Sequence, residues 1–450
     1  MKRILVLGAG LVVKPLLDDL EELREVDLRL ATLNVERARA LLAGRPRATA
    51  LEVDATRESE LVPEVGRADI VVSLIPADQH VRIARACLDR GVPLVTTSYV
   101  SDEMRALDAR ARERGILLLN EMGLDPGIDH MSAVRLIAAV RRGGGRIVSF
   151  SSCCGAIPAP VSNTNPWGYK FAWSPRGVVL AARNPVRYLE NGVVVERPFP
   201  DLFEHPRLLD VPGVGRLEAY PNRNCLRYLD QYGLAGTRDF FRGTLRYPGW
   251  CSTWHALAEL NLLDLEPLDL SGTTWAEFLA RRLSPGTGRL VERVARRLGV
   301  TPQDRVVMRL EWLGLLSDQP MPDRTASPLE ALTNLLESRL RYAPGESDMV
   351  VLEHRCVAEY GDGSRRLFTS RMVSTGRAGD DSALARAVSL PVASACRLLL
   401  EGRIDLSGVQ IPVDPRIARP VLLALEQRGL HVEESSAELE TESRSGSVPR

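Results

Sequence analysis

The chain begins Met1-Lys2-Arg3-Ile4-Leu5-Val6-Leu7-Gly8-Ala9-Gly10-Leu11-Val12-Val13, and this stretch decides the class of fold. An apolar strand runs into two closely spaced glycines and then into a helical run. In that context Gly8 permits a tight turn, and Gly10 lets a pyrophosphate approach the helix N-terminus, whose free N–H groups favour negative charge. Val13 occupies the position of the usual third glycine, so the fingerprint is imperfect. The stretch predicts a dinucleotide-binding turn, against the alternative of a strand–turn–helix without a ligand.

Residues 1 to about 123 alternate short apolar runs with longer amphipathic ones, which is the rhythm of parallel strands joined by helices. The predicted strands are residues 3–7, 28–33, 48–53, 69–74, 94–97 and 116–119. The helical stretches between them include residues 35–42, 80–89 and 102–114. The pattern predicts an α/β fold with a Rossmann-type doubly wound parallel sheet over residues 1–130. Two later helical stretches, residues 383–401 and 417–428, are predicted to complete this domain within about residues 383–432.

The rhythm changes near Gly143-Gly144-Gly145, after which Asn, Pro, Gly and aromatic residues are frequent as far as Trp254. A second domain, of the α+β class, is predicted over residues 131–382. Within it, residues of about 255–320 predict a mainly helical insertion, and residues 349–360 and 365–373 predict a strand pair. Residues 433–450 predict a polar tail with no core pattern.

The composition indicates a small-molecule partner. The 450 residues carry 58 basic and 58 acidic side chains, so no net charge draws the molecule to nucleic acid or to an anionic membrane. No run of about eighteen uninterrupted apolar residues occurs, so a membrane-spanning helix is not expected. The seven cysteines include no Cys-x-x-Cys pair and no zinc-like spacing with histidine. Reduced thiols, no metal site and a cytoplasmic location are therefore predicted.

Two further segments are expected to line a dinucleotide. Val72-Ser73-Leu74-Ile75-Pro76 ends the fourth strand at the carboxyl edge, where ligands of open α/β sheets bind. The second strand ends Ala31-Thr32-Leu33-Asn34, with neither the acid typical of NAD sites nor the arginine typical of NADP sites. Asn34 can hydrogen-bond a 2′-hydroxyl, whereas Arg37 can reach a phosphate, so NAD is favoured and NADP is the alternative. The predicted cofactor residues of this region are Gly8, Gly10, Leu11, Val12, Leu33, Asn34, Leu74 and Ile75.

Several long segments downstream are too unusual to be scaffold alone. Three of them are Thr97-Ser98-Tyr99-Val100, Asn120-Glu121-Met122-Gly123-Leu124-Asp125-Pro126-Gly127-Ile128-Asp129-His130-Met131 and Asn165-Pro166-Trp167-Gly168-Tyr169-Lys170-Phe171-Ala172-Trp173-Ser174-Pro175-Arg176-Gly177. The others are Cys154-Gly155-Ala156-Ile157-Pro158-Ala159-Pro160, Tyr220-Pro221-Asn222-Arg223-Asn224 and Phe241-Arg242-Gly243-Thr244-Leu245-Arg246-Tyr247. Together they closely resemble the L-glutamate-forming saccharopine dehydrogenases, also called saccharopine reductases. The resemblance is strong over residues 1–255 and weaker beyond.

Members of that family reversibly convert saccharopine, oxidised nicotinamide cofactor and water into 2-aminoadipate 6-semialdehyde, glutamate and reduced cofactor, in lysine metabolism. Hydride leaves the carbon attached to the secondary amine, and water then splits the resulting imine. The site therefore needs groups that serve several proton transfers. By position in the matching motifs, the resemblance implies Tyr99, Asp125 and Cys154 as the candidates for acid/base catalysis.

The resemblance also implies binding residues. At the substrate it places Ser98, Tyr99, Asp125, Arg223, Thr244 and Arg246. At the cofactor it places Asp125, Pro126, Gly127, Ile128 and Ser174. Saccharopine carries three carboxylates, which planar guanidinium groups can grip with paired hydrogen bonds. At the ribose position, Ala31-Thr32-Leu33-Asn34 looks more like the NAD-using branch of the family than the NADP-using branch, which generally shows an arginine there.

Each assignment has a plainer alternative. Asp125 can be a helix N-cap, Cys154 a small core residue, and Tyr99 a core aromatic with a satisfied hydroxyl. Any single arginine is more often a solvated surface residue. Asp129 and His130 are predicted to be structural, because they lie within the helix that follows Asp125.

Three departures from the family pattern bear on specificity: Ala156-Ile157 replaces Gly-Leu, and Ala172 replaces Ser. They are compatible with the reaction but can alter the pocket. A dehydrogenase that joins another amine to an aldehyde, as in carboxynorspermidine or homospermidine synthesis, is the related alternative. A catalytically inactive dinucleotide-binding regulator is the alternative from another class. A homodimer is implied by family likeness only.

Overall fold

The computed structural model describes residues 1–439, apart from residues 182, 378 and 380. This part of the chain forms two compact units. Unit 1 comprises Met1–Ser152, Leu229–Thr237 and the chain from Leu352 onward, and unit 2 comprises Cys153–Tyr228 and Arg238–Val351. The chain therefore passes between the units four times.

The first 142 residues alternate strands and helices, as the apolar runs predict. In chain order the elements are β1 (Lys2–Leu7), α1 (Val13–Glu21), β2 (Val26–Thr32), α2 (Val35–Leu42), β3 (Ala48–Glu52), α3 (Glu58–Val65), β4 (Ile70–Ser73), α4 (His80–Arg90), β5 (Leu94–Thr96), α5 (Asp102–Arg105), α6 (Asp108–Glu113), β6 (Leu117–Leu119) and α7 (Ile128–Arg142). All six predicted strands are present. The helix predicted over residues 102–114 is divided into α5 and α6.

The middle of the chain begins with strands and continues with helices. In chain order it contains β7 (Arg146–Pro158), α8 (Pro175–Ala181), β8 (Val186–Glu190), β9 (Val193–Arg197), β10 (Arg207–Val211), β11 (Gly215–Pro221), α9 (Tyr228–Gln231), β12 (Asp239–Arg246), α10 (Trp250–Glu259), β13 (Leu268–Asp269), α11 (Trp275–Arg282), α12 (Leu290–Arg297), α13 (Arg305–Leu313), β14 (Thr325–Ala326) and α14 (Pro328–Arg339). Helices α10 to α13 occupy the region of the predicted helical insertion.

The last part of the chain returns to unit 1. It contains β15 (Ser347–Glu359), β16 (Arg365–Arg377), α15 (Ala383–Leu400), β17 (Gly408–Gln410), α16 (Pro415–Gln427) and β18 (Glu433–Leu439). β18 corrects the prediction of a polar tail from residue 433, because it pairs antiparallel with β16. All seven of its residues are exposed, so backbone pairing forms this strand without an apolar pattern. The rest of the predicted tail, residues 440–450, lies outside the described residues.

A parallel sheet of seven strands forms the centre of unit 1, in the order β17-β6-β5-β4-β1-β2-β3. Strands β1 to β6 have the doubly wound Rossmann order. In such sheets ligands bind at the carboxyl edge, beside the strand where the order reverses, which is β1 here. The core contains Ile4, Leu5 and Val6 of β1, all fully buried. The predicted fold class is confirmed.

Helix α15 is 18 residues long with a mean hydropathy of 1.5, which is sufficient by length and composition to cross a membrane. However, 72% of it is buried. It packs against α1 within unit 1, so we interpret it as a core helix. All seven cysteines lie within the described residues, and each is buried.

A second, mixed sheet has the order β10-β11-β12-β7-β15-β16-β18, with β8 paired to β12 and β9 to β8. The boundary predicted at residue 130 falls inside α7. That helix packs against α16 and belongs with unit 1, whose first segment ends at Ser152 within β7. The hydrophobic periodicity changes at the triple glycine after α7. The boundary between the two compact units instead lies between Ser152 and Cys153, inside the continuous strand β7.

Candidate active site

The glycine loop lies between β1 and α1, at the carboxyl edge of the parallel sheet. Gly8 has a φ of +105°, and a Cβ there would lie 3.0 Å from Ile75 Cγ2 and 3.1 Å from the Leu74 carbonyl oxygen. The conformation therefore favours glycine at Gly8, and the space for a side chain is tight. At Gly10, no described heavy atom lies within 4 Å of where a Cβ would be. The N-cap of α1 is Val12, which has no side-chain acceptor, so the first N–H groups of the helix suit an anion.

Arg37 lies beside the same loop. Its Nε donates to the Ala9 carbonyl oxygen at 2.6 Å, and its Nη2 donates to the Gly10 carbonyl oxygen at 3.4 Å. Asn34 caps α2, because its Oδ1 accepts from the Arg37 backbone N–H at 3.0 Å. Leu33 is 70% exposed at the end of β2. No arginine lies at the end of β2 itself, but the guanidinium group of Arg37 extends from α2 to the glycine loop.

Tyr99 and Asp125 meet at the carboxyl edge of the parallel sheet. Tyr99 follows β5, and Asp125 follows β6. The Tyr99 hydroxyl donates to Asp125 Oδ1 at 2.8 Å, and both residues are half-buried. A phenol and a carboxylate within hydrogen-bond distance can pass a proton to or from a third group. The structure therefore brings together two of the three predicted acid/base residues.

The backbone after Asp125 fits only glycine at one position. The Asp125–Pro126 peptide bond is cis, and Gly127 follows with a φ of +147°. A Cβ at Gly127 would lie 1.9 Å from the Gly123 carbonyl oxygen. Gly127 is the N-cap of α7, and its N–H donates to the Asp129 carboxylate at 2.6 Å. The alternative that Asp125 is the N-cap is therefore wrong, and Pro126, Gly127 and Ile128 form the tight turn into the helix.

Ser98 is bound by a buried histidine. His80 Nε2 lies 2.8 Å from Ser98 Oγ and 3.1 Å from Thr96 Oγ1, while Nδ1 lies 2.9 Å from Ser73 Oγ. Burial lowers the pKa of His80 to about 4. The ring is therefore neutral at neutral pH, with one nitrogen as donor and the other as acceptor.

Cys154, Thr244 and Arg246 lie on adjacent strands of unit 2. Cys154 is buried in β7, and a Cβ at the following Gly155 would lie 2.4 Å from the Leu245 carbonyl oxygen. The glycine thus allows β7 and β12 to approach closely. Thr244 and Arg246 are two residues apart on β12, so their side chains project to the same face.

Arg246 is a buried guanidinium opposite Glu218 of β11, whose carboxylate accepts from the Gly249 and Cys251 N–H groups. It is 4% exposed; Nη1 donates to the Leu245 carbonyl oxygen at 2.7 Å, and Nε is buried without a hydrogen bond to any described residue. Its Cζ lies 4.8 Å from the Tyr169 ring centroid and 5.2 Å from the Trp250 ring centroid. Aromatic faces offset part of the cost of a buried charge, and a carboxylate would offset more.

Arg223 and Ser174 also belong to unit 2. Arg223 is half-buried with a φ of +56°, in the turn after β11, the neighbour of β12. Ser174 is exposed, and its Oγ accepts from the Gly177 N–H at 3.2 Å at the start of α8. This contact gives Ser174 a structural role, and its predicted place at the cofactor stays a prediction.

Two family models cover nearly the whole chain. Residues 4–119 match the saccharopine dehydrogenase NADP binding domain, and residues 123–430 match the saccharopine dehydrogenase C-terminal domain. The chain belongs to the saccharopine dehydrogenase family. The resemblance drawn from the motifs is confirmed, and it extends beyond residue 255, where the motifs were weak.

Individual members of the saccharopine dehydrogenase family align over almost the full length. Saccharopine dehydrogenase (NADP(+), L-glutamate-forming) of Schizosaccharomyces pombe is 34% identical over 447 residues, which cover 96% of this chain and 99% of that protein. The mitochondrial alpha-aminoadipic semialdehyde synthase of Bos taurus is 33% identical over 444 residues, which cover 95% of this chain and 47% of that protein.

A solved structure gives the same result. Apo saccharopine dehydrogenase (L-Glu forming) from Saccharomyces cerevisiae has a TM-score of 0.88 and 33% identity, covering 97% of this chain and 100% of that one. Membership of the family gives this chain a nicotinamide dinucleotide-binding domain. The matching domain model and the name of the Schizosaccharomyces pombe relative specify NADP, whereas the ribose segment favoured NAD.

Three residues that shape the site were not predicted. His80 binds Ser98, Glu121 accepts from the Val100 N–H, and Ser389 on α15 donates to the Val12 carbonyl oxygen. His80 follows the quoted segment of residues 72–76 and Glu121 lies within the quoted segment of residues 120–131, but neither periodicity nor a motif reveals the partner of a side chain. No local signal connects Ser389 with the glycine loop, because the two lie near opposite ends of the sequence.

Proposed function

We propose that this protein interconverts saccharopine with 2-aminoadipate 6-semialdehyde and L-glutamate by hydride transfer with NADP. The observation that carries the proposal is the Tyr99–Asp125 hydrogen bond of 2.8 Å at the carboxyl edge of the dinucleotide-binding sheet. It occurs in a chain that aligns end to end with relatives named as saccharopine dehydrogenases.

Tyr99 and Asp125 supply the acid/base chemistry in this proposal. The reaction needs one group to take up a proton in one step and to return it in another. A half-buried phenol–carboxylate pair suits this requirement, because the two groups share a hydrogen bond and each of them can accept or donate a proton. Cys154 is the third candidate, and its proton-transfer role stays a prediction.

Arg246 binds a substrate carboxylate in this proposal, with Arg223 and Thr244 nearby on the same sheet. The Glu218 carboxylate, on the neighbouring strand, accepts instead from the Gly249 and Cys251 N–H groups, and Arg246 Nε has no hydrogen bond to a described residue, so this buried guanidinium is suited to an anion supplied from outside. Saccharopine has three carboxylates, so more than one cationic group is expected to contact it. Ser98, which is bound by His80 in unit 1, offers a further hydroxyl.

The glycine loop fits a dinucleotide. Bound nicotinamide supplies the acceptor and donor of hydride. Gly8, Gly10 and the N-terminus of α1 hold the pyrophosphate, and Leu33 provides an apolar surface beside the ribose. Leu74 and Ile75, whose atoms approach Gly8, close the other side of the loop.

Arg37 favours NADP over NAD in this proposal. Its guanidinium lies at the glycine loop, where the second strand ends and the 2′-phosphate of NADP is expected. Asn34 is already used as the cap of α2, which weakens its predicted role at a 2′-hydroxyl. The end of the second strand, Ala31-Thr32-Leu33-Asn34, contains no arginine and for that reason predicted NAD. Arg37 instead reaches the glycine loop from helix α2.

Kinetics with both cofactors test the proposal. Wild-type protein should oxidise saccharopine with a higher kcat/KM for NADP than for NAD. Arg37→Ser should lower kcat/KM for NADP roughly 10- to 100-fold, as expected for a hydrogen bond between charged groups of about 1.5–3 kcal/mol, and change NAD little. Arg39→Ser is the matched control, because Arg39 lies on the same helix, exposed and paired with Glu36 at 2.6 Å. A wild-type preference for NAD would overturn the cofactor assignment.

The same assay addresses the alternatives. Turnover of carboxynorspermidine or homospermidine without turnover of saccharopine would show a shifted pocket. Cofactor binding without any turnover would indicate an inactive regulator. A homodimer and a cytoplasmic location stay predictions, and light scattering of the purified protein tests the first.

A further inference from the structure

One buried acid, Glu121, holds both neighbours of Tyr99. Its backbone N–H donates to the Ser98 carbonyl oxygen at 3.1 Å. Its Oε1 accepts from the Val100 N–H at 3.0 Å. Glu121 is 1% exposed, so both contacts are protected from solvent. A single residue thus fixes the peptide group on each side of Tyr99.

The backbone of Glu121 adopts an uncommon conformation. Its φ is +60°, in the left-handed region that residues with a side chain rarely occupy. Such a conformation is unfavourable in isolation, so the surrounding contacts must maintain it. In this arrangement the N–H and the carboxylate of one residue both reach the same three-residue segment.

The second carboxylate oxygen connects Glu121 to the helix that follows Asp125. Oε2 lies 2.6 Å from Nε2 of His130, a fully buried residue in the first turn of α7. His130 Nδ1 lies 2.6 Å from the Tyr232 hydroxyl. The carboxylate therefore bridges the segment that carries Tyr99 and the helix whose entry turn carries Asp125.

We infer that Glu121, bridged to His130, is a positioning residue that sets the Tyr99 hydroxyl against the Asp125 carboxylate. The inference deepens the proposed function and rests on it. Glu121 contacts the peptide groups beside Tyr99, so its influence on the reaction passes through Tyr99. Removing its acceptors releases the Val100 N–H and separates the two elements that carry the reacting pair.

A double-mutant cycle tests this inference. Glu121→Leu removes both carboxylate acceptors with little change in volume. It should lower kcat about 30- to 100-fold, as expected when a reacting group moves by roughly 1 Å, and alter the KM for saccharopine and the Kd for NADP less than about threefold. Glu121→Gln retains an acceptor for the Val100 N–H. The fall in log kcat from wild type to Glu121→Gln should therefore be at most about two thirds of the fall to Glu121→Leu.

The background variant separates positioning from general stability. In Tyr99→Phe protein, Glu121→Leu should lower kcat by less than about threefold, because the hydroxyl it positions is gone. Equal losses in both backgrounds would overturn the inference. Ser132→Ala is the matched control. Ser132 is buried on α7, the helix that carries His130, and its Oγ lies 2.7 Å from His354 Nε2. The kcat of this variant should match that of wild type. If Glu121→Leu does not fold, the cycle is run with Glu121→Gln.

Failure of the proposed function gives a different result. If wild-type protein does not turn over saccharopine, crystal structures of wild type and Glu121→Leu decide the inference instead. A distance between Tyr99 Oη and Asp125 Oδ1 above about 3.5 Å in the variant supports positioning. A distance unchanged from wild type overturns it.

Discussion

Replacing Arg246 with Met should separate substrate binding from stability. Arg246 is 4% exposed, lies opposite Glu218 on the neighbouring strand, and packs on the rings of Tyr169 and Trp250. Methionine fills similar space without the charge. Without substrate, the variant loses two cation–π contacts of about 0.5–2 kcal/mol each, but it also loses the cost of removing a charge from water. These opposing effects should leave the free energy of unfolding within about 2 kcal/mol of wild type.

The effect on the substrate should be larger. Truncating one partner of a buried charge pair costs about 2–5 kcal/mol, and about 1.4 kcal/mol corresponds to a factor of ten. The kcat/KM for saccharopine should therefore fall roughly 30- to 5,000-fold. The Kd for NADP should change little, because the glycine loop and Arg37 belong to unit 1, whereas Arg246 belongs to unit 2.

Steady-state kinetics with varied saccharopine, cofactor titration by fluorescence, and urea unfolding measure these three quantities. Arg216→Met is the matched control: Arg216 lies on β11, is exposed, and pairs with Asp210 at 2.9 Å, so its loss should change none of them. An Arg246→Met protein with the wild-type kcat/KM for saccharopine would refute the argument. Arg246 would then belong to the aromatic core of unit 2 alone.

Two further predictions concern unit 1. Asp125→Asn should fold and bind NADP but lose about 10²- to 10⁴-fold in turnover, because an amide cannot exchange the proton; nearly normal turnover at saturating saccharopine would contradict this. Burial holds the pKa of His80 at about 4, against 6.5 for the free side chain, so the folded protein binds fewer protons than the unfolded chain between these values. This contribution to stability is complete above pH 6.5 and is lost as the pH falls towards 4, so urea unfolding at pH 7 and pH 4 should show wild type losing about 3 kcal/mol more than His80→Asn. Equal losses in the two proteins would show that His80 does not carry this dependence.

The parallel sheet could be predicted because its signals are local. Strand β1 is a continuous apolar run that ends at Gly8, and the alternation with amphipathic helices continues as far as β6. Right-handed crossovers then permit few strand orders. The same locality made the motifs of the candidate site recognisable, including the turn Asp125-Pro126-Gly127. The Tyr99–Asp125 contact follows from the rule that the carboxyl ends of parallel strands share one edge.

Contacts between distant residues could not be predicted in this way. β18 has no apolar alternation, because its backbone pairs with β16 while every side chain is exposed. The sequence places Arg37 on the helix after β2, but it does not show that the guanidinium contacts the Ala9 carbonyl oxygen of the glycine loop. Glu121 looked like one polar residue within a motif, and only its left-handed backbone gives it two contacts with the Tyr99 segment. The binding roles of Arg223 and Ser174 stay predictions.

The parallel sheet has a consequence for synthesis on the ribosome. β6 ends at Leu119, but its outer neighbour β17 begins at Gly408. Until that late segment has emerged, β6 presents the unpaired N–H and C=O groups of an open strand edge, and α1 lacks α15, which covers it. Translation of the nucleotide domain thus begins before unit 2 and is completed after it. A premature stop before Gly408 would leave the glycine loop intact in sequence, yet it would expose a nascent edge prone to aggregation and to capture by chaperones.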